Sequence, residues 1–458
     1  MKKISAIAAA VLVTSLSLAQ TTASSYFLEG FNQRNQLNPA FAPERDIVVS
    51  VPLLGNLQLG ANGSAGLGNF IYQSQADPDR LTTFMSSEVD RDGFVNGLPD
   101  VFRIGAGLNM DILSVGVGGE NGFTSAGLRL RSDNNVGIPR EMFEFMKAGL
   151  SNGTYLIEDI NVNSTTYLEL SVNHSRRIID PLRVGATVKL LAGIDYTDVN
   201  IDRIDADFSE DAWKVRTNAS FTQSLPGGKI EYDGEDNSIE GIDYSFSAPK
   251  SFGLALDLGA EYDMAQFVEG LKVSASITDI GFIRWKDLDR FVTRNDEYVT
   301  FSGFQDYDVM GDGDDSDTDL LEDDFSDMLK LYEDGKSAMT VATAATLRAG
   351  AEYVLPWVDW IKCGELLTCR TGKWGFFESR TSLVLSPCGW FDFSGNVAFS
   401  TRGTSGGLIA SFHPSAVTLF IACDCMKTSL NRQYIPLERF GAEVNAGISL
   451  ALGGKSER

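Results

Sequence analysis

The stretch SFGLALDLGAEYD, residues 251–263, decides the fold. In it Leu254, Leu256 and Leu258 alternate with small or polar residues, among them Asp257. Neighbouring side chains of a β-strand point to opposite faces, so this pattern predicts a strand with one apolar and one polar face. Globular strands are usually about five or six residues long, whereas a tilted transmembrane strand needs about nine to eleven. The length of this run therefore favours a membrane strand.

The same alternation recurs along the chain, and the charged residues collect on one face of it. They are Arg103, Arg183, Lys189, Asp257, Lys272, Arg348 and Glu352. An apolar outer band and a polar interior are typical of a transmembrane β-barrel. A soluble β-protein also alternates and is the competing interpretation, but strand length and one-sided charge favour the barrel.

We predict an all-β, transmembrane antiparallel β-barrel of about fourteen strands, within a range of twelve to sixteen, because bacterial barrels prefer even counts. The predicted strands are 46–61, 101–110, 112–120, 123–131, 166–176, 182–195, 251–262, 270–281, 341–354, 377–387, 389–401, 405–413, 416–424 and 440–452, with a further one at 360–369. The up-and-down order of the front half stays open. Long loops are expected at 62–100, 132–164, 196–250 and 282–340, with a few short helices in them, one at Pro139–Gly149.

The N-terminus has the pattern of a secretory signal peptide. Lys2 and Lys3 precede an apolar run, and Ser17-Leu18-Ala19 places small residues before a cleavage site. We predict one domain, divided into a signal peptide at 1–19, an N-terminal segment at 20–45, the barrel at 46–454 and a tail at 455–458. The predicted location is the cell outer membrane. Its lipid and the barrel-assembly machinery are the expected partners.

Composition excludes several functions. The chain carries 38 basic and 62 acidic residues, a net charge of −24, so a nucleic-acid partner is not expected. Two histidines leave little room for histidine chemistry. The run Gly403–Gly407 formally matches a nucleophile elbow but lies between two predicted strands. We predict no catalytic residues, no enzyme activity and, outside the acidic run below, no cofactor.

One short run carries a resemblance to a known family: Gln36-Leu37-Asn38-Pro39-Ala40-Phe41-Ala42-Pro43. This run resembles the Asn-Pro-Ala motif near the mature N-terminus of long-chain fatty-acid transporter barrels and of PorV-like barrels of the type IX secretion system. The whole chain resembles a Bacteroidota family of predicted outer-membrane barrels of unknown function. Further matching runs are Ile138–Phe143, Arg183–Leu191, Leu256–Tyr262, Phe412-His413-Pro414 and the strand that ends at Gly453-Gly454.

The transporter resemblance implies a fourteen-stranded barrel with an N-terminal plug, to which Asn38, Pro39 and Ala40 would belong. An ordinary turn leading into the first strand is the alternative for these residues. The implied function is to pass or bind a small, hydrophobic ligand. The PorV-like resemblance implies instead a barrel that docks exported proteins or a secretion machine. A large apolar interior pocket would favour the first function, and a filled polar interior with long apolar loops the second.

An acidic run is the strongest local signal. Residues 306–327 hold eleven carboxylates and no lysine or arginine. Clustered oxygen ligands suit calcium, for which the candidate ligands are Asp306, Asp308, Asp312, Asp314, Asp317 and Asp319. Neither register satisfies the EF-hand pattern, since Met310 falls on a ligand position in both. A solvated surface loop is the competing interpretation.

All five cysteines lie in the last hundred residues. Export permits disulfides, and Cys363 with Cys369 are the candidate pair for closing a small loop. The odd count leaves at least one thiol free or paired with another chain. Cys423 and Cys425 share the apolar face of their strand.

Overall fold

The structure is a computed structural model. It describes residues 23–43, 45–77, 80–119, 122–148, 153–209, 213–224, 228–232, 239–244, 248–293, 298–301, 331–426 and 439–455. No helix among these residues is long and apolar enough to cross a membrane.

Strands make up most of the described chain. In order they are β1 Arg45–Ser50, β2 Leu57–Gly63, β3 Ile71–Gln73, β4 Leu81–Thr83, β5 Val101–Gly119, β6 Gly122–Pro139, β7 Gly153–Ile179, β8 Leu182–Phe208, β9 Trp213–Ser224, β10 Gly228–Tyr232, β11 Ile239–Tyr244, β12 Ser251–Asp263, β13 Leu271–Val292, β14 Val299–Phe301, β15 Tyr332–Ala342, β16 Thr346–Leu355, β17 Val358–Arg370, β18 Phe376–Cys388, β19 Phe391–Ser400, β20 Gly403–Phe412, β21 Val417–Met426 and β22 Phe440–Lys455. The helices are α1 Arg91–Asn96 and α2 Arg140–Ala148, with 3₁₀ turns at Ala23–Ser25, Arg34–Gln36 and Leu67–Asn69.

The main sheet closes on itself. Both β1 and β2 pair with β22 on one side and with β5 on the other, all antiparallel. At each of three positions in the wall, two successive strands pair with the same neighbour and so count as one position. These pairs are β1 with β2, β9 with β12, and β15 with β16. Counted in this way, the ring has fourteen antiparallel positions. The predicted fold class and strand number are confirmed.

The two ends and the two sides of the barrel differ. At one end the turns are short, such as Asp180-Pro181 between β7 and β8, and we name it the short-turn end. The other, the long-loop end, carries the helices and the long connections. Strands β7 and β8 have 27 residues each, whereas β19, β20 and β21 have ten. We name the β5–β13 wall the tall side and the β16–β21 wall the short side.

Alternation places charge inside. Leu254, Leu256 and Leu258 of β12 are 38–50% exposed on the outer face, while Asp257 is 1% exposed on the inner face. The sequence pattern therefore assigns the two faces of β12 correctly.

Several boundary predictions on the tall side were wrong, and β8 and β13 run well past their predicted ends at 195 and 281. Residues 101–110 and 112–120 form the single strand β5, because a register shift after Asp111 keeps the pairing with β6 intact across the expected turn. The expected loop 132–164 is largely strand, since β6 and β7 stay paired from Phe123–Ser175 to Gly137–Asn161. Without a turn between residues 110 and 112, successive wall strands of the front half alternate in direction. The helix predicted at Pro139–Gly149 is confirmed as α2 over Arg140–Ala148, with Pro139 ending β6 and Gly149 outside the described residues.

Candidate functional site

The N-terminal segment, residues 23–43, lies inside the ring against inward-facing side chains from both sides. Asn38 is fully buried, and its Nδ2 donates to the carbonyl oxygen of Ala260 at 3.2 Å. Its Oδ1 accepts from the backbone N–H of Ala40 at 3.0 Å, which fixes a local turn. The carbonyl of Pro39 accepts from Asn173 Nδ2 at 3.2 Å. All three residues of the Asn-Pro-Ala motif thus lie against the inner wall of the tall side.

Wall glycines make room for this motif. A Cβ atom on Gly185 would lie 2.1 Å from the Pro39 carbonyl oxygen, and one on Gly259 would lie 2.0 Å from Asn38 Oδ1. Both distances are far below van der Waals contact, so any larger residue at either position would push the segment away from the wall.

On the short side the contact is mainly apolar, although Asn32 also donates a hydrogen bond to Thr418 there. Segment residues and inward wall residues form one buried cluster: Tyr26, Phe27, Leu28, Phe31, Leu37, Phe41, Leu366, Val384, Ile409, Phe420 and Ala422. The rings of Phe31 and Phe420 meet edge to face with centroids 4.6 Å apart. Burying a side chain of this size contributes about 1.5–3 kcal/mol. This cluster attaches the segment to the short side by apolar burial.

On the tall side the contact is polar. Asn35 Nδ2 donates to Ser125 Oγ at 2.9 Å, and Gln36 Nε2 donates to Asp111 Oδ2 at 2.9 Å. Between this face and the wall lies a cavity of about 50 Å³, lined by polar side chains and large enough for a few water molecules. Around Asn35 and Gln36, directional bonds and space for water replace the close packing that Asn38 and Pro39 make with the same wall.

Near the short-turn end the segment is held by charge. Glu29 Oε1 lies 3.1 Å from Lys362 Nζ and 3.4 Å from Lys272 Nζ. Burial disfavours the charged carboxylate, but the two ammonium groups prevail and lower the pKa of Glu29 below its ordinary value.

Above the polar face, toward the long-loop end, a band of buried ion pairs crosses the inner wall of the tall side. We name it the charge belt: cations Arg129, Arg131 and Lys189, and anions Asp111, Glu169, Asp257 and Asp279. Lys189 Nζ lies 2.7 Å from both Asp257 and Asp279. Buried charges are stable only when paired, so removing one member leaves another uncompensated.

Asp279 is the centre of the belt. Its carboxylate accepts from Arg131 at 2.7 and 3.2 Å and from Lys189 at 2.7 Å. It sits at a bulge opposite Asp257 with φ +63°, a conformation that non-glycine residues rarely adopt. The backbone N–H of Asp279 donates to Asp257 Oδ1 at 2.6 Å. Strain of this kind persists where the surroundings over-determine it, as at functional sites.

Closer to the long-loop end, the same inner wall turns apolar. The apolar strip consists of Leu191, Tyr196, Phe221, Trp285, Leu288 and Phe291, on β8, β9 and β13. Tyr196 and Trp285 have ring centroids 5.2 Å apart, and Phe221 stacks on Phe291 at 5.8 Å. A Cβ atom on Gly193 would lie 2.3 Å from the Trp285 ring, so glycine makes space for it. Trp285 Nε1 has no hydrogen-bond partner among the described residues.

The cysteine prediction was wrong. Cys363 and Cys369 lie on the same face of one extended strand, β17, six residues apart, which separates their Cα atoms by roughly 20 Å. A disulfide needs about 4.4–6.8 Å, so the two cannot pair, and all five thiols are free.

The predicted calcium ligands lie outside the described residues, and calcium binding stays a prediction. The strip and most of the belt were not predicted from the sequence. Lys189 and Asp257 were visible as inward charges, and Glu169 lies in a predicted strand, but alternation within one strand does not show which strands bring these charges together. Asp279 lies where the alternation breaks.

A family model described as a family of unknown function (DUF5723) matches residues 39–424. No functionally curated protein matches the chain significantly. Among solved structures, the toluene transporter TodX of Pseudomonas putida is 8% identical, with 92% of this chain and 94% of that chain covered, at a TM-score of 0.42. The toluene transporter TbuX of Ralstonia pickettii is 9% identical, with 91% and 90% covered, at 0.41. A FadL homologue of Pseudomonas aeruginosa is 8% identical, with 95% and 99% covered, at 0.46.

Proposed function

The chain belongs to DUF5723, a family of unknown function, and we propose that it is an outer-membrane barrel that passes or binds a small, hydrophobic ligand. The observation that carries the proposal is the apolar strip. Interiors of water-filled barrels are polar, so a buried apolar strip on the inner wall suits an apolar occupant. In the structure the strip is packed shut, and uptake requires its side chains to move.

The proposed route follows the tall side. The long-loop end faces the cell exterior and the short-turn end faces the periplasm, as in barrels with short periplasmic turns. The ligand meets the apolar strip first, then the charge belt, then the cavity beside the N-terminal segment. The segment acts as a plug that stays attached by its apolar cluster. The outward leucines contact membrane lipid, and the last strand β22 is recognised by the barrel-assembly machinery. The sequence resemblance supports a Bacteroidota source.

The test is uptake of a fluorescent polycyclic hydrocarbon by cells that lack other hydrophobic-compound channels. Cells with the wild-type barrel should accumulate the probe faster than cells without it. Leu288→Asn should slow accumulation toward the background rate. It puts a polar amide into the apolar strip, where it has no hydrogen-bond partner and disfavours an apolar ligand. Leu81→Asn is the matched control, because Leu81 is 76% exposed and lies outside the strip. Equal rates for Leu288→Asn and wild type, with both proteins assembled, would refute the proposal.

A second candidate, a docking barrel of an export system, is favoured by two observations. The two cavities found along the lumen have only about 50 and 90 Å³, and the long-loop end carries an aromatic cluster. In that cluster Phe84, Phe94 and Phe143 are buried, and the nearby Met85 is 57% exposed. Affinity capture from envelope extracts by the wild-type barrel, lost on Met85→Lys while hydrocarbon uptake is unchanged, would favour this candidate.

A further inference from the structure

Two thiols meet on the outer face of the short side, near the long-loop end. Cys423 and Cys425 are both exposed on β21, and their Sγ atoms lie 3.3 Å apart. Asp424, which lies between them in sequence, points into the lumen and pairs there with Arg380. The two sulfur atoms therefore form a dithiol pair on the outside of the wall, separate from the proposed ligand route.

The wall around the dithiol pair is apolar. Both cysteines are paired in register with a residue of β20 on one side and a residue of β22 on the other, and these four residues are Gly406, Leu408, Ala442 and Val444. Side chains directly opposite each other on neighbouring strands are the nearest neighbours on one face of a sheet. None of the four has a side-chain oxygen or nitrogen, so they offer no hard ligand beside the two sulfur atoms.

The strand geometry opposes a disulfide between Cys423 and Cys425. Residues two apart in an extended strand have Cα atoms about 6.6–6.8 Å apart, and side chains on one face keep their Cβ atoms nearly as far from each other. A disulfide needs Cβ atoms about 3.5–4.5 Å apart. Closing the bridge would bend β21 and break its pairing with both neighbouring strands. The two thiols therefore stay available as separate ligands, even in an oxidising compartment.

We propose that Cys423 and Cys425 bind one soft monovalent metal ion, of the class of Cu(I) and Ag(I). Soft sulfur ligands select such ions, whereas a structural zinc ion needs four ligands. No group of three or more His, Cys, Asp or Glu side chains in the described part of the chain could hold a metal ion, so the pair suits an ion that accepts two ligands. With the zinc–sulfur bond length of about 2.3 Å as a guide, a linear clamp spans about 4.6 Å between the sulfur atoms. Small rotations of the two side chains reach this spacing from 3.3 Å.

Binding replaces a proton by the metal ion. One thiol releases its proton to water and binds the ion as a thiolate, and the second sulfur donates a lone pair. The single positive charge of the ion and the single negative charge of the thiolate cancel, so the occupied site is neutral, which suits its apolar surroundings. Cys425 directly precedes Met426, the last residue of β21 at the long-loop end, so the site lies near the membrane boundary, where an ion from the water can reach it.

The test is calorimetry with silver nitrate, in chloride-free buffer, on the folded full-length barrel in detergent. A variant with Cys363→Ser, Cys369→Ser and Cys388→Ser keeps only the proposed site and should bind one Ag(I) ion per barrel. Adding Cys423→Ser or Cys425→Ser should weaken this binding about a hundredfold, because the second sulfur no longer acts as an intramolecular ligand. Bound Ag(I) should also protect both thiols of the pair from alkylation by a maleimide.

The matched control keeps Cys363 and Cys369 and has serine in place of the other three cysteines. These two thiols are also exposed on one strand, but roughly 20 Å apart, so they should bind two Ag(I) ions independently, each with the affinity of a single thiol. Heat-dependent migration on a denaturing gel verifies that every variant is folded. Two ions bound at the proposed site, an affinity equal to that of the control, or a Cys423–Cys425 disulfide formed by mild oxidation of the metal-free protein would each overturn the proposal.

Discussion

The two sides of the lumen hold the N-terminal segment by different forces. On the short side Phe31 is buried against wall residues such as Phe420, in an apolar cluster that the Glu29 ion pair flanks. On the tall side Asn35 and Gln36 make individual hydrogen bonds beside a small polar cavity. Apolar burial is non-directional and tolerates sliding, whereas a set of hydrogen bonds is lost as soon as its geometry changes. The segment should therefore open on the tall side, where the strip and belt also lie, and remain attached on the short side.

The largest effect is expected in the charge belt. Asp279→Asn removes the carboxylate shared by Arg131 and Lys189, and breaking a buried ion pair costs about 3–5 kcal/mol. Urea unfolding of the barrel in lipid vesicles measures the loss. Asp287→Asn is the matched control: Asp287 lies on the same strand with φ +52°, but its pair with Lys250 is exposed and should contribute at most about 1 kcal/mol. Equal losses in the two variants would show that the belt is not a special structural element.

Phe31→Ala tests the apolar attachment. Truncating a buried phenylalanine costs about 3–5 kcal/mol, and a value near 3 is expected here because the segment can relax. Hydrogen exchange of residues 26–36 should accelerate while exchange of the wall strands stays unchanged. Phe399→Ala, which truncates an outward ring that is 62% exposed, should leave the exchange of the segment unaltered. If the wall unfolds together with the segment, the two are a single cooperative unit and the comparison fails.

Gln36→Ala tests the polar attachment and should have a smaller effect, about 1–3 kcal/mol, because it leaves Asp111 with one bond fewer. The same exchange experiment should show residues 35–38 opening before residues 26–31. Gln266→Ala, at an exposed hydrogen bond to Tyr262, is the control. Simultaneous opening of both stretches would contradict a segment that opens from one side.

The smallest expected effect is that of pH on the stability of the N-terminal segment. The pKa of Glu29 is lowered in the folded protein, so the unfolded carboxyl binds protons more readily, and Glu29 stabilises the segment above its ordinary pKa of about 4.3. This contribution declines as pH falls below that value. Exchange of residues 26–31 should thus accelerate between about pH 5 and pH 3, and Glu29→Gln should flatten the profile. Protection that increases on acidification would reverse the assigned sign.

The sequence could predict the repetitive part of the fold. Period-two alternation in β12 and its neighbours identifies wall strands and their faces because every second residue meets the same environment. It failed where the strand is irregular: the register shift after Asp111 resembled a turn, and the bulge at Asp279 interrupted the alternation. The strip was invisible because Tyr196 and Trp285 come together from strands far apart in sequence. The predicted Cys363–Cys369 pair was wrong because two cysteines close in sequence can approach each other only when the chain between them turns. Here the residues between them are an extended strand.

The most direct test of the account locks each face of the segment in turn. In a background with all five cysteines replaced by serine, the pair Asn35→Cys and Ser125→Cys is joined by a short bifunctional thiol reagent on the tall side. The pair Phe31→Cys and Phe420→Cys is joined in the same way on the short side. Hydrocarbon flux into proteoliposomes should fall to the level of empty vesicles when the tall side is locked, and should persist when the short side is locked. Equal flux through both locked proteins, or flux blocked only by the short-side lock, would contradict a route along the tall side.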